Sequence, residues 1–168
     1  MFRTVRDGAP SVLVPAAWFV AASAQHGPVG TTAMFIAHLV MVGFIAMFTV
    51  TGWSAMETGA LRGWRLVLVG GFGVTVAGIG GFLLESEPLL AISLVGWMVL
   101  PAAGLIDTGR RFTEAQSIYY ASGTLSVVGT FVYLAAATGP IGVLSLGGFV
   151  LVATGQTAGI VHATTLGV

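Results

Sequence analysis

The chain has 168 residues, zero formal net charge, 56% hydrophobic residues and only 7% charged ones. A soluble globular domain carries about 25% charged residues, so this chain cannot clothe a water-facing surface and its solvent is expected to be mostly lipid. Neutrality and the lack of a basic run argue against nucleic acid as a partner, and the absence of cysteine removes disulfides, thiolate chemistry and cysteine-ligated metal clusters. Lysine and asparagine are also missing. Both are encoded by A-rich codons, so the composition points to a GC-rich prokaryotic genome and to its plasma membrane.

A spanning helix needs about 20 apolar residues. The first segment, 9–25, is short and contains Pro15. It also reads as a signal peptide, with Arg3 and Arg6, an apolar run, and "ASA" before Gln25. Counted as a span, it is followed by 31–52, 64–84, 88–106, 115–137 and 141–164. These six pair as hairpins over 9–52, 64–106 and 115–164 within one transmembrane domain, an all-α polytopic helix bundle. Alternation puts the N-terminus, the 53–63 and 107–114 loops and the C-terminus on one side, together with Arg3, Arg6, Arg62, Arg65, Arg110 and Arg111. The positive-inside bias makes that side cytoplasmic, with both termini there. Trp53 and Trp64 stand at segment ends, where amphipathic rings favour the headgroup layer.

The second span carries His38, about 10 Å below its start. An ionisable group at that depth is a functional hypothesis by default. One expectation is haem b on His38, with a methionine such as Met34 or Met41, or a quinone at the same place. His162, near the end of the sixth span, cannot be the second axial ligand: spans two and six run in the same direction, so the two histidines lie toward opposite faces.

The third span is rich in glycine. Gly73, Ala77 and Gly81 share one helix face, Gly70, Val74 and Gly78 the next, and Gly155 with Gly159 forms a GxxxG in the sixth span. Small residues let backbones approach closely where leucine gains nothing by hiding from lipid tails. These rows predict helix packing, within the bundle, against a second copy, or against other membrane subunits. The turn after the third span holds Glu85 and Glu87, and the first outer turn holds His26. They read as solvated turn residues or as a proton-sensing set that titrates between about pH 4 and 7. In the fifth span Ser122, Ser126, Thr130 and Tyr133 follow one face, with Gln156 of the sixth able to join them. That stripe is interhelical glue or a polar path through the membrane.

Shifting the chain by 52 aligns Gly71 with Gly123, Pro88 with Pro140, Ser93-Leu94 with Ser145-Leu146, and Gly96-Trp97 with Gly148-Phe149. A shift of 112 aligns "GPVG" at 27–30 with "GPIG" at 139–142. The stretch 70–111, with Pro88, Gly96, Gly104 and Arg110–Arg111, resembles the repeat unit of the HdeD-like acid-resistance membrane proteins, and 123–164 echoes it. The first hairpin departs from that pattern. The resemblance implies a six-helix, non-enzymatic membrane protein linked to stress. Motifs for catalysis are missing: no HExxH, GxSxG or GKS/T loop occurs. Three functions stay open from sequence: a structural or stress-response membrane protein, a redox subunit centred on His38, and a small channel along the fifth span.

Overall fold

The computed structural model describes the backbone of residues 2–59, 61–138 and 144–165, and the side chains of 10–59, 61–137 and 144–164. The "GPIG" turn with Pro140 lies outside the described residues. Among the described residues six α-helices follow one another: α1 (Phe2–His26), α2 (Thr31–Gly52), α3 (Leu61–Leu83), α4 (Glu87–Arg111), α5 (Gln116–Thr138) and α6 (Leu144–Thr165). No strand occurs among the described residues.

The five helices α2 to α6 are long and apolar enough to cross a bilayer, and α1 is long enough but the least apolar. Their surface is hydrocarbon: Val50, Phe19, Leu66 and Phe131 are between 66% and 78% exposed. In water so continuous an apolar surface would be a liability; toward lipid tails it is the expected solvent face. The pattern is that of a multi-pass membrane protein.

Two sequence boundaries shift. The 107–114 segment is not all loop, because α4 continues to Arg111, where Phe112 N–H still reaches the Thr108 carbonyl at 3.1 Å. The extra turn is supported by the Arg111 side chain, which grips Asp107 one turn earlier at 2.9 Å. The helix α1 starts well before residue 9, taking Arg3 and Arg6 into its first turns.

Around the bundle the packing order is α2, α3, α4, α5, α6, α1. The pairs α3/α4 and α5/α6 each pack along their length, and α4 also touches α6. The first hairpin behaves differently. Its two helices make little contact, α1 docking on α6 and α2 on α3. Trp18, Met98, Tyr133, Phe149 and Val152 form the central core, so α1 reaches the middle of the bundle. A smaller core gathers Leu105, Ala115 and Tyr119 nearer the other end.

The closest approach is α5 on α6. A Cβ added to Gly148 would lie 2.8 Å from the Gly129 carbonyl oxygen, and one on Gly129 would lie 2.8 Å from the Gly148 oxygen. Farther along, a Cβ added to Gly155 would lie 2.5 Å from the Ser122 carbonyl oxygen, and Gly159 abuts Leu105. On α3 the tight contacts fall at Gly63, Gly71, Gly78 and Gly81. In the row predicted through Gly73, Gly81 abuts Leu90 of α4, while Ala77 is half-buried and Gly73 is exposed with nothing within 4 Å of an added Cβ.

Candidate functional site

The polar interior is organised around a proline. Pro101 sits inside α4 and has no N–H, so the carbonyl four residues earlier, that of Trp97, loses its helical donor. In a bilayer no water can replace it, and the group must be met from another helix. Gln156 of α6 does this. Its amide N–H₂ donates to the Trp97 carbonyl at 3.1 Å and to the Met98 carbonyl at 3.2 Å. Its amide oxygen accepts the Trp18 indole N–H at 2.9 Å. Gln156 is only 2% exposed, so three helices meet on one buried amide. The Trp97 indole N–H in turn donates to Thr75 Oγ1 on α3 at 3.0 Å, and Thr75 donates back to the Gly71 carbonyl at 2.7 Å. Gly71 must be glycine for that arrangement, since a Cβ there would sit 2.6 Å from the Trp97 ring.

The same device recurs at the next level, where the Trp64 indole donates to Thr108 Oγ1 at 3.0 Å and Thr108 to the Gly104 carbonyl at 2.8 Å. In both places a tryptophan bridges α3 and α4 onto a threonine whose own proton is satisfied within its helix.

His38 lies at the junction of α2, α3 and α4. Its Nδ1 is 2.9 Å from the Met34 carbonyl, which can only accept, so that nitrogen carries the proton. Nε2 is then the acceptor, and the Ser93 hydroxyl faces it at 3.4 Å. The ring stands edge-on to Phe82 at 5.1 Å. Gly78 makes room for both partners, since a Cβ there would lie 2.6 Å from Ser93 Oγ and 2.7 Å from His38 Nε2. The methionines expected beside it as haem ligands are placed otherwise. Met34 offers its carbonyl, and the Met41 sulfur is 3.8 Å from Thr75 Oγ1. His162 belongs to another interface, with Nδ1 3.4 Å from the Tyr119 hydroxyl. Both ring nitrogens of His38 thus face protein atoms.

The stripe on α5 is buried at Ser122, Ser126, Thr130 and Tyr133. Ser126 donates to the Ser122 carbonyl at 3.0 Å and Thr130 to the Ser126 carbonyl at 2.8 Å, so these two hydroxyl protons are returned to their own helix. The Tyr133 hydroxyl accepts from Gln25 of α1 at 3.2 Å. Gln156 does not extend this row; it turns toward α1 and α4. Sequence reasoning grouped it with the stripe and did not connect it to Pro101. The signal was present, because a mid-span proline always leaves a carbonyl to be met.

The proposed proton-sensing residues are separate. His26 Nε2 is 2.7 Å from Ser145 Oγ, tying the end of α1 to the start of α6. Glu85 and Glu87 are exposed at the α3–α4 turn, and among the described residues neither makes an ion pair. Glu85 has φ 51°, with Ser86 N–H reaching the Gly81 carbonyl at 2.9 Å. That is the left-handed C′ position which closes a helix and which glycine usually fills. Among the described residues no three His, Asp or Glu side chains converge as a metal site would require.

No protein-family model matches this chain, and no curated protein and no solved structure is significantly similar to it.

Proposed function

We propose that this chain is a non-enzymatic integral membrane protein of the HdeD-like kind, serving acid or stress response in a prokaryotic plasma membrane as a packing or assembly partner. Six spans, both termini in the cytoplasm and a hairpin repeat belong to that reading. The arginine distribution supports the orientation. The 52-residue self-similarity and the two tightly packed pairs α3/α4 and α5/α6 support the repeat. The observation that carries the reading is the buried Gln156 amide. It completes the backbone of α4 at Pro101 and joins α1 to it, so a fully buried polar side chain does structural work.

Two measurements test this. Purified protein in proteoliposomes is expected to give no proton or ion flux at pH 4 or pH 7; flux lost in Ser126→Ala or Thr130→Val would replace the reading with a channel. A deletion strain is expected to survive acid challenge less well, with plasmid-borne gene restoring survival. Unchanged survival would remove the stress role.

A further inference from the structure

A hydroxyl inside a membrane helix has a ready partner in the carbonyl four residues back. Thr75 of α3, Thr108 of α4, and Ser126 and Thr130 of α5 all use it, at 2.7 to 3.0 Å. Two buried hydroxyls among the described residues have no partner at all, those of Thr49 on α2 and Thr157 on α6. Thr157 also lines a cavity. A cleft of about 700 Å³ lies between Pro15 of α1, Ile118 of α5 and the face of α6 that carries Thr154, Thr157, Ala158 and Val161. The volume falls within the ~300–1,000 Å³ of sites that hold small molecules. Thr154 is exposed on that face, one turn from Thr157, and among the described residues its hydroxyl is unbonded too. An otherwise apolar wall with a few convergent polar groups is the usual make-up of a ligand site. Both hydroxyls are donors in want of an acceptor. The Thr157 oxygen is covered by protein, so meeting a ligand takes a rotamer step; threonine populates two χ1 wells in helices, which keeps that step small.

Depth selects the acceptor. Thr154 and Thr157 come eleven and eight residues before Thr165, the last residue of α6. That is about 16.5 and 12 Å of helix, against about 15 Å for half the hydrocarbon core. A group that meets them sits well inside the hydrocarbon. The ester carbonyls of a phospholipid are tied to the headgroup layer and do not reach that depth. A fatty-acid carboxylate would have to bring its charge there, which hydrocarbon penalises heavily. An uncharged ring with carbonyl oxygens on a hydrocarbon tail meets neither obstacle. His38 offers such a ring no place, because both its nitrogens face protein atoms.

We propose that the α6 cleft binds the head ring of an isoprenoid quinone, a carbonyl oxygen accepting from Thr157 and Thr154 while the tail runs out into lipid. The small side chain of Ala158 leaves room for the ring. This is a binding role, and it stands apart from the packing reading given above.

The full chain in detergent, titrated with decylubiquinone or with decylbenzene, which keeps a ring and tail but has no carbonyl, tests it. Binding is read from the ligand-dependent rise of the unfolding midpoint in circular dichroism. One quinone per chain is expected to bind saturably, with decylbenzene at least threefold weaker. Thr157→Val is expected to weaken quinone binding about three- to tenfold, the value of one hydrogen bond. Its midpoint without quinone should not fall, because the hydroxyl it removes has no bond to lose. Thr49→Val removes the other unpartnered hydroxyl and is expected to leave quinone affinity unchanged. Ala158→Phe, at an exposed position of the cleft, is expected to abolish binding with helical circular dichroism retained. If that variant does not fold, Val161→Trp takes its place. Equal binding of quinone and decylbenzene overturns the proposal, as does unchanged affinity in Thr157→Val or in a folded cleft-filling variant. A lowered midpoint of Thr157→Val without quinone overturns it as well, by showing that the hydroxyl is already bonded.

Discussion

Replacing Gln156 by leucine is the sharpest test of how the interior is held together. The substitution keeps the volume close and removes the amide. Three bonds disappear, but only two groups are orphaned. The Trp97 carbonyl has no helical donor because residue 101 is proline, and the Trp18 indole N–H loses its acceptor. The Met98 carbonyl keeps its place in the helix ladder and is not counted. An unmet buried polar group costs about 1–3 kcal/mol, while interhelical bonds measured in membranes average about 0.6 kcal/mol, because the unfolded chain in lipid also finds partners. Two groups then give a loss of about 1–4 kcal/mol, centred near 2. The decisive measurement is a double-mutant cycle. Pro101→Ala restores an N–H four residues after Trp97, so in the Gln156→Leu background it satisfies that carbonyl. A coupling of about 1–2 kcal/mol is expected from unfolding in mixed micelles, followed by circular dichroism and tryptophan fluorescence. If the two substitutions add within about 0.5 kcal/mol, the amide is not standing in for the missing N–H and the account of the core is wrong.

The glycines divide by what a methyl group would meet. Gly155→Ala directs its Cβ at the Ser122 carbonyl at 2.5 Å, backbone that cannot turn aside, and is expected to cost about 1–3 kcal/mol. Gly73→Ala meets nothing and is expected to be neutral or to stabilise by up to about 1 kcal/mol through helix propensity; the same unfolding assay compares the pair, and equal losses would contradict the packing described. Gly78→Ala presses on His38 and Ser93, so its cost of about 1–3 kcal/mol should shrink when His38 is also replaced by alanine. Additive losses in that pair would show that the imidazole is not what Gly78 makes room for. At the α3–α4 turn, Glu85→Gly is expected to stabilise by about 1 kcal/mol by relieving the positive φ, whereas Glu85→Gln leaves the strain in place. Equal stability of the two would show that the turn is not strained.

Much of the fold is legible in the sequence because the bilayer leaves few choices. Long apolar runs must be helices when no water can satisfy the backbone, and the segments 31–52 and 64–84 lie within two residues or so of α2 and the end of α3. Which glycines carry contacts is less legible. Gly73 and Gly71 are two residues apart on the same helix, and only the rotation of α3 against Trp97 decides which is buried. Rotation about the axis is set by tertiary partners, and α3 is small or apolar on every side, so no amphipathic stripe announces it. Polar function was easier to locate than to interpret. The α5 hydroxyls are buried as their spacing suggested, yet Ser126 and Thr130 bond to carbonyls four residues back, an option open to Ser and Thr in any helix.

The partners of the first hairpin's two helices could not be read from sequence, and its histidines show why. Its helices are joined by a short turn, which by the usual rule makes neighbours of them. Instead they separate, and each is held by a serine of a different pair: His38 of α2 by Ser93 of α4, His26 of α1 by Ser145 of α6. Those two serines are the ones aligned by the 52-residue shift. The tryptophan that follows Ser93, Trp97, is turned onto Gly71 of α3, while its aligned counterpart Phe149 packs on Trp18 of α1. So the two well-packed pairs offer the same register positions but different partners, and the loose first hairpin opens to fill both. A helix pair divided in this way has little contact of its own to lose, and each of its helices takes its place from the pair it packs on.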